Sequence, residues 1–348
     1  MGQRILHVTL TIFMSISAYP QSDKLYTERL DSIITSVNLA GEVKSVFHYN
    51  GKGLLVEKIE YREKKEGIWI NPERTLYTYD CNDRIASLVS NIVDSCEQGG
   101  AFRERREYDS MGNLISQTYD RFLERDGMWQ MKGLVEHVYD DKGHQVERMD
   151  YYYKDGERKN KLKSENNYDR RGRLITKREY EFIKDEMQLW RIYQYSYDRR
   201  GNLCTAKKFF SEHYDTLDNS IITTQRTYNR HDGKVSILTR AERGADIKKE
   251  EYSYDHHGNL IQIATFRLSD GAWEHWQNMT FTYDMTTPVS SVMGLSCPEV
   301  LCNDYALKNG LNMTCKPFSV NVNEVDNSRF HEEAFYYYSS INENPKNE

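Results

Sequence analysis

The sequence predicts an all-β protein: an elongated antiparallel meander of about nine two-strand repeats, forming a curled or spiral sheet with a C-terminal cap. Three observations carry this. A Tyr-Asp or Tyr-Asn pair recurs at Tyr79, Tyr108, Tyr139, Tyr168, Tyr197, Tyr228, Tyr254 and Tyr283 in steps of 26 to 31 residues, with a degenerate copy at Tyr49-Asn50. Turn-forming residues follow each pair, and alternating aromatic residues precede it. A fixed period of this length marks a repeat architecture, in which each unit buries its face only against its neighbours.

The turn is the clearest element. Its full pattern, Tyr-Asp-x-x-Gly-Asn-Leu, stands at 108–114, 197–203 and 254–260. Asp80, Asp109, Asp169, Asp198 and Asp255 occupy the first turn position, where a carboxylate can accept from backbone N–H groups two residues on. Gly112, Gly172, Gly201 and Gly258, with Gly53 and Gly143, stand where a type I turn ends in the left-handed region. Asp83 takes that slot in the copy at Tyr79, as a residue tolerant of positive φ. At Tyr228 the glycine is displaced to Gly233, which predicts a longer or bulged turn.

The flanks read as strands. Tyr193, Tyr195 and Tyr197, or Phe281 and Tyr283, lie two apart and share one face. After the turn, the sixth position beyond the Tyr is apolar in Leu55, Ile85, Leu114, Leu174, Leu203, Leu260 and Val289. Strict alternation through 173–182 would place Arg173, Ile175, Lys177, Glu179 and Glu181 on the outward face. That charged face argues against a membrane barrel. A second turn closes each unit at the other end, in 65–69, 125–129 and 269–273, with 154–156 a weaker relative. Trp69, Trp129 and Trp273 each sit ten residues before a repeat Tyr, so an unbulged strand would point Trp and Tyr to the same side.

Length and composition fit one extended array. The 348 residues carry a net charge of −6 from 47 basic and 53 acidic side chains, mixed along the strands, so nucleic acid is not an expected partner. Arg4 followed by the apolar run 5–16 and the small residues Ser15 and Ser17 reads as a signal peptide over 1–17, giving an exported chain with no membrane span after cleavage. The repeat array runs over 25–285. Residues 286–340, interrupted by Pro288 and Pro298, form a cap ending in a strand, and 341–348 is a disordered tail. Cys81 and Cys96 fall at opposite ends of one strand and are too far apart to bridge. Among Cys297, Cys302 and Cys315 one disulfide is feasible, while Cys204 is alone.

The turn sequences 108–114, 168–174, 197–203 and 254–260 resemble the YD repeats of Rhs-family cell-envelope proteins. The Asp-Gly-x-Trp turn and the terminal 334–340 strand resemble secreted repeat proteins of Bacteroidetes-type bacteria. The resemblance covers about 45 to 285 and implies a β-sheet shell or scaffold in an exported setting. It carries over no catalytic residues.

No motif for catalysis, cofactor or metal stands out. One carboxylate per turn, spaced about 10 Å from the next, cannot converge on calcium. His231, His256 and His257 fall at turn positions and read as solvated. The 26 Tyr, 12 Phe and 5 Trp are the main apolar material in a chain of mean hydropathy −0.80, so the aromatic face reads first as core. Its alternative is a platform for sugar rings, with Trp69, Trp129 and Trp273 as candidate stacking residues. The expectation is a non-catalytic binding or scaffold protein needing no cofactor, whose partner is a glycan or surface protein; a small shell or accessory component is a further alternative.

Overall fold

The computed structural model describes residues 28–37, 41–91, 101–123, 126–184, 186–210, 222–228, 234–241, 248–288, 292–293, 315–324 and 331–340. The outer segments 1–27 and 341–348 therefore lie outside it, as do Cys96, Cys297, Cys302, His231 and Gly233. The described residues are all-β. They form one sheet of 21 strands and a separate two-stranded hairpin, Glu63–Lys65 with Ile68–Ile70. Every sheet pairing is antiparallel except a two-residue parallel contact of Glu28 and Arg29 with Val292 and Met293.

Strands follow one another in sequence order, as a meander requires. The first strand, Glu28–Val37, has Gly41–Tyr49 on one side and the last strand, His331–Ser340, on the other. This return of the chain to its first strand requires the sheet to curl, and it pairs two edges that would otherwise be open templates. The terminal strands 315–324 and 331–340 make that connection by continuing the sheet from Ala272–Pro288.

Two bulges per repeat govern which side chains share a face. The first lies seven residues after each Tyr: Tyr79 pairs with Ile85 but Thr78 with Ser87, leaving Ala86 extra. Val56, Ile115, Ile175, Cys204 and Ile261 are the equivalents in other copies. The second lies seven residues before the Tyr and leaves Lys132, Lys161, Trp190 and Trp276 extra. Each bulge shifts the alternation by one residue and adds twist, which helps a long sheet curl. Two expectations are thereby corrected. Lys177 and Glu179 pair with Tyr193 and Arg191, so they lie on the tyrosine face and not opposite it. Trp129 and Trp273 pair with Phe122 and Leu268 beyond the second bulge, on the side opposite the repeat tyrosines.

The copy at Tyr228 also departs from expectation. Tyr228 pairs with Lys234, six positions on, the same offset as Tyr197 to Leu203, so its loop is no longer than the others.

The tyrosine face is the more buried one. Phe47 is 3% exposed, Phe281 5% and Tyr193 9%, whereas outward Leu76 and Val138 are each 51% exposed. Fully buried side chains are nonetheless sparse, because a single layer covers neither face completely.

The repeats are joined by a bond that recurs along the array. Between neighbouring units the ladder stops eight residues after the Tyr, at Ser87 with Arg105, Ser116 with Glu136, Thr176 with Gln194 and Gln262 with Thr280. The carbonyl two residues nearer the turn is left without a strand partner. The Tyr hydroxyl of the next repeat donates to it: Tyr79 to Leu55 at 2.6 Å, Tyr108 to Ile85 at 3.0 Å, Tyr139 to Leu114 at 2.9 Å and Tyr197 to Leu174 at 2.8 Å. Tyr49, Tyr168, Tyr228 and Tyr283 do the same to Leu30, Gln145, Leu203 and Leu260.

Removing one such hydroxyl strands a half-buried carbonyl. We predict that Tyr139→Phe and Tyr197→Phe each lower unfolding stability by about 1 kcal/mol, nearly additively at this separation. Tyr152→Phe, on a residue 42% exposed with no such bond, serves as the control. Denaturant titration giving equal losses for all three would refute the assignment.

Candidate functional site

The turn residues predicted from sequence are brought together as a continuous spine. Asp109 Oδ1 accepts from the backbone N–H of Met111 at 2.9 Å and Asn113 at 2.8 Å, and Oδ2 accepts from the Asn113 side chain at 2.8 Å. Gly112 closes the turn at φ 90°, while Asp83 holds the corresponding place at φ 58°. Asp80, Asp169, Asp198 and Asp255 repeat the arrangement, with Arg84, Arg173, Asn202 and Asn259 as the side-chain donors.

This fifth residue after the Tyr is the member that motif reading missed. It is Arg84, Asn113, His144, Arg173, Asn202 and Asn259 in turn, always a side-chain donor, and that shared chemistry was the available signal. The same side chain reaches the following repeat. Arg84 lies over the Tyr108 ring at 4.4 Å, Arg173 over Tyr197 at 4.8 Å, and His144 stacks on Tyr168 at 4.8 Å. His144 also fills the space beside Gly172, where an added Cβ would stand 2.5 Å from Nε2. The aspartates are thus held low: Asp109 by the Asn113 amide, and Asp169 by the Arg173 backbone N–H and then its guanidinium.

The tryptophans do not converge. Trp69 lies in the separate hairpin, Trp129 on the strand Met128–Tyr139, and Trp273 on Ala272–Pro288 at the far side of the array. A cation covers each ring: Lys64 at 5.1 Å from Trp69, Arg103 at 4.5 Å from Trp129 and Lys249 at 5.1 Å from Trp273. Arg103 and Arg105 also enclose Asp120, 2% exposed, at 2.8 and 3.1 Å. A groove of about 460 Å³ opens nearby, lined by Met131, Lys132, Tyr153 and Asp155 among others, past the last pairing of its two strands at Gly133 and Tyr152.

Charge on the tyrosine face was not foreseen. Glu179 pairs with Lys177 at 2.6 Å and Arg191 at 2.9 Å, and accepts from the Tyr193 hydroxyl at 3.3 Å. Burial pushes the Tyr193 phenol up to about 12, and the Glu179 charge adds to it. The phenols of Tyr195 and Tyr252 are raised chiefly by burial. Among the described residues, no three His, Cys, Asp or Glu side chains gather as a metal site would need. His256 and His257 sit ring to ring at an exposed turn, 3.8 Å apart. Cys81 is an exposed free thiol, and Cys204 a half-buried one.

No family model and no curated protein matches the chain. Solved structures similar to it include TcdB2-TccC3-TEV, 13% identical over 87% of this chain and 15% of that one, with a TM-score of 0.29. A porin-like protein from Bacteroides uniformis is 9% identical over 73% of this chain and 96% of its own, with a TM-score of 0.36. A protein of unknown function from Bacteroides fragilis is 12% identical over 50% and 95%, with a TM-score of 0.22. The chain spans only a small part of the TcdB2-TccC3 fusion.

The depressed aspartates fix the sign of an acid response. Their folded values lie below the ordinary 3.8, so the stability they contribute is present above that pH and is lost as pH falls through the lowered values. We predict that the midpoint of thermal unfolding falls below about pH 4, and that Asp109→Asn with Asp169→Asn shrinks the slope there. An unchanged slope in the double variant would assign acid lability elsewhere.

Proposed function

We propose that the chain is an exported, non-catalytic β-repeat scaffold that works by binding, of the same architectural kind as the YD repeats its turns resemble. One observation carries the reading. The recurring polar side chains, Tyr, Asp and the donor five residues after the Tyr, are bonded to one another and to the next repeat. Chemistry that recurs is spent on construction, which leaves function to the residues that differ between repeats. Export rests on the leader-like segment 1–17. The partner we infer is a glycan or a surface protein of the envelope.

A carbohydrate role for Trp69, Trp129 and Trp273 takes a narrower form. Three separated rings, each already faced by Lys or Arg, support independent contacts with a long polymer and not one sugar pocket.

The expected outcomes are twofold. Amino-terminal sequencing of the chain recovered from an expressing bacterium should begin between residues 18 and 22, and an uncleaved cytosolic chain would remove the export reading. Purified mature chain immobilised against envelope glycans and surface proteins should retain at least one without consuming it. Turnover of a retained glycan, abolished by a point substitution, would overturn the non-catalytic reading.

A further inference from the structure

We propose that the tyrosine-bearing face binds an oxyanion, a carboxylate or phosphate group, at Arg226 between Tyr195 and Tyr252. Arg226 stands two residues before a repeat tyrosine, the position that Phe47, Tyr77, Tyr195, Tyr252 and Phe281 occupy in other repeats. A guanidinium has therefore replaced an aromatic ring in the half-buried face. Its Nη1 is enclosed yet has no hydrogen-bond acceptor. Its cross-strand partner is Ile237, which offers none.

The neighbouring carboxylates are engaged elsewhere. Glu179 serves Lys177, Arg191 and Tyr193. Glu250 takes Lys248 at 2.6 Å and the Tyr252 hydroxyl at 2.7 Å. Lys208, on the next strand and the same face, also lacks a carboxylate among the described residues; its ammonium lies over Phe210 at 4.3 Å. Burial, then the Arg191 charge, lowers its pKa. Two cations thus remain uncompensated on one face.

The register also leaves room. Tyr195 pairs with Ala206, and Ala206 with Thr224, so only small side chains separate the Tyr195 ring from the strand bearing Arg226. The field of Arg226 acts on the phenols of Tyr195, Tyr197, Tyr228 and Tyr252, which places them around it. The Tyr195 hydroxyl has no hydrogen-bond partner among the described residues and is available as a second donor. A half-buried cation without an acceptor is costly to keep, and a planar guanidinium beside a phenol suits an oxyanion held by two donors. The inference does not depend on the scaffold reading.

The test uses the full chain and two probes, sodium phosphate and sodium galacturonate, each against sodium chloride at equal ionic strength. Thermal unfolding of the wild type should shift upward and saturate with at least one probe, and the pair separates phosphate from carboxylate recognition. Arg226→Met should lose the shift while remaining at least as stable as wild type in chloride. Arg226→Lys keeps the charge without the fork and should need about tenfold more probe, the worth of one charge-assisted hydrogen bond. No shift in the wild type with either probe, or a wild-type response in Arg226→Lys or Arg226→Met, overturns the proposal.

Discussion

The array rests on one interaction, the hydroxyl of each repeat tyrosine donated to a backbone carbonyl of the repeat before it. A strand ladder that ends early leaves a buried acceptor, and an unsatisfied acceptor in a half-dry layer costs more than a made bond contributes. The tyrosine resolves this because its ring fills the space between diverging strands and its tip carries the missing donor. Phenylalanine would satisfy only the first need. The recurrence of Tyr, and not merely of an aromatic residue, follows from that double duty. Aspartate completes the unit by fixing the turn, and the donor beside it extends the connection over the next tyrosine ring. Three side chains per repeat therefore do what a compact globule leaves to a deep core.

Much of this was legible in the residues. Asp109 and Gly112 stand in the turn at the places their chemistry dictates, and Asp83 adopts the left-handed conformation in place of glycine. The faces were less legible, because alternation is a reliable guide only while a strand is unbulged. The residues extra after the turn are small or apolar, Val56, Ala86, Ile115 and Cys204, and nothing in them announces a bulge. Those extra before the tyrosine are Lys132, Lys161, Trp190 and Trp276, which share no chemistry at all. Bulges here are set by how neighbouring strands must twist to curl, a property of the sheet and not of any one residue. Trp129 and Trp273 changed faces for that reason, and Lys177 and Glu179 entered the tyrosine face for the same one. Tyr228 illustrates the converse: a displaced glycine looked like an insertion, yet the register of Tyr228 with Lys234 shows the spacing conserved.

The two ends of the strands divide the labour. At the Tyr-Asp end, gaps between units are filled by the repeat's own side chains, and the surface is a row of tight, hydrogen-bonded turns. At the Asp-Gly end the strands part beyond the second bulge without a recurring residue to fill the space, and there the sequence varies from repeat to repeat. The cation-covered tryptophans and the groove beside Met131 and Tyr153 lie in that variable half. A scaffold with one invariant rim and one variable rim can change what it contacts without disturbing what it is made of.

The tyrosine bond also has a direction. Each hydroxyl points back to a carbonyl earlier in the chain, as Tyr79 does to Leu55 and Tyr283 to Leu260. During synthesis, then, every emerging hairpin finds its acceptor already made and can dock on finished structure instead of waiting for sequence still in the ribosome. Only the pairing of the first strand with the last must wait for the whole chain. Growth of the sheet is vectorial from the amino end, and a truncated product would be an ordered stack of completed units with one strand still missing from its side.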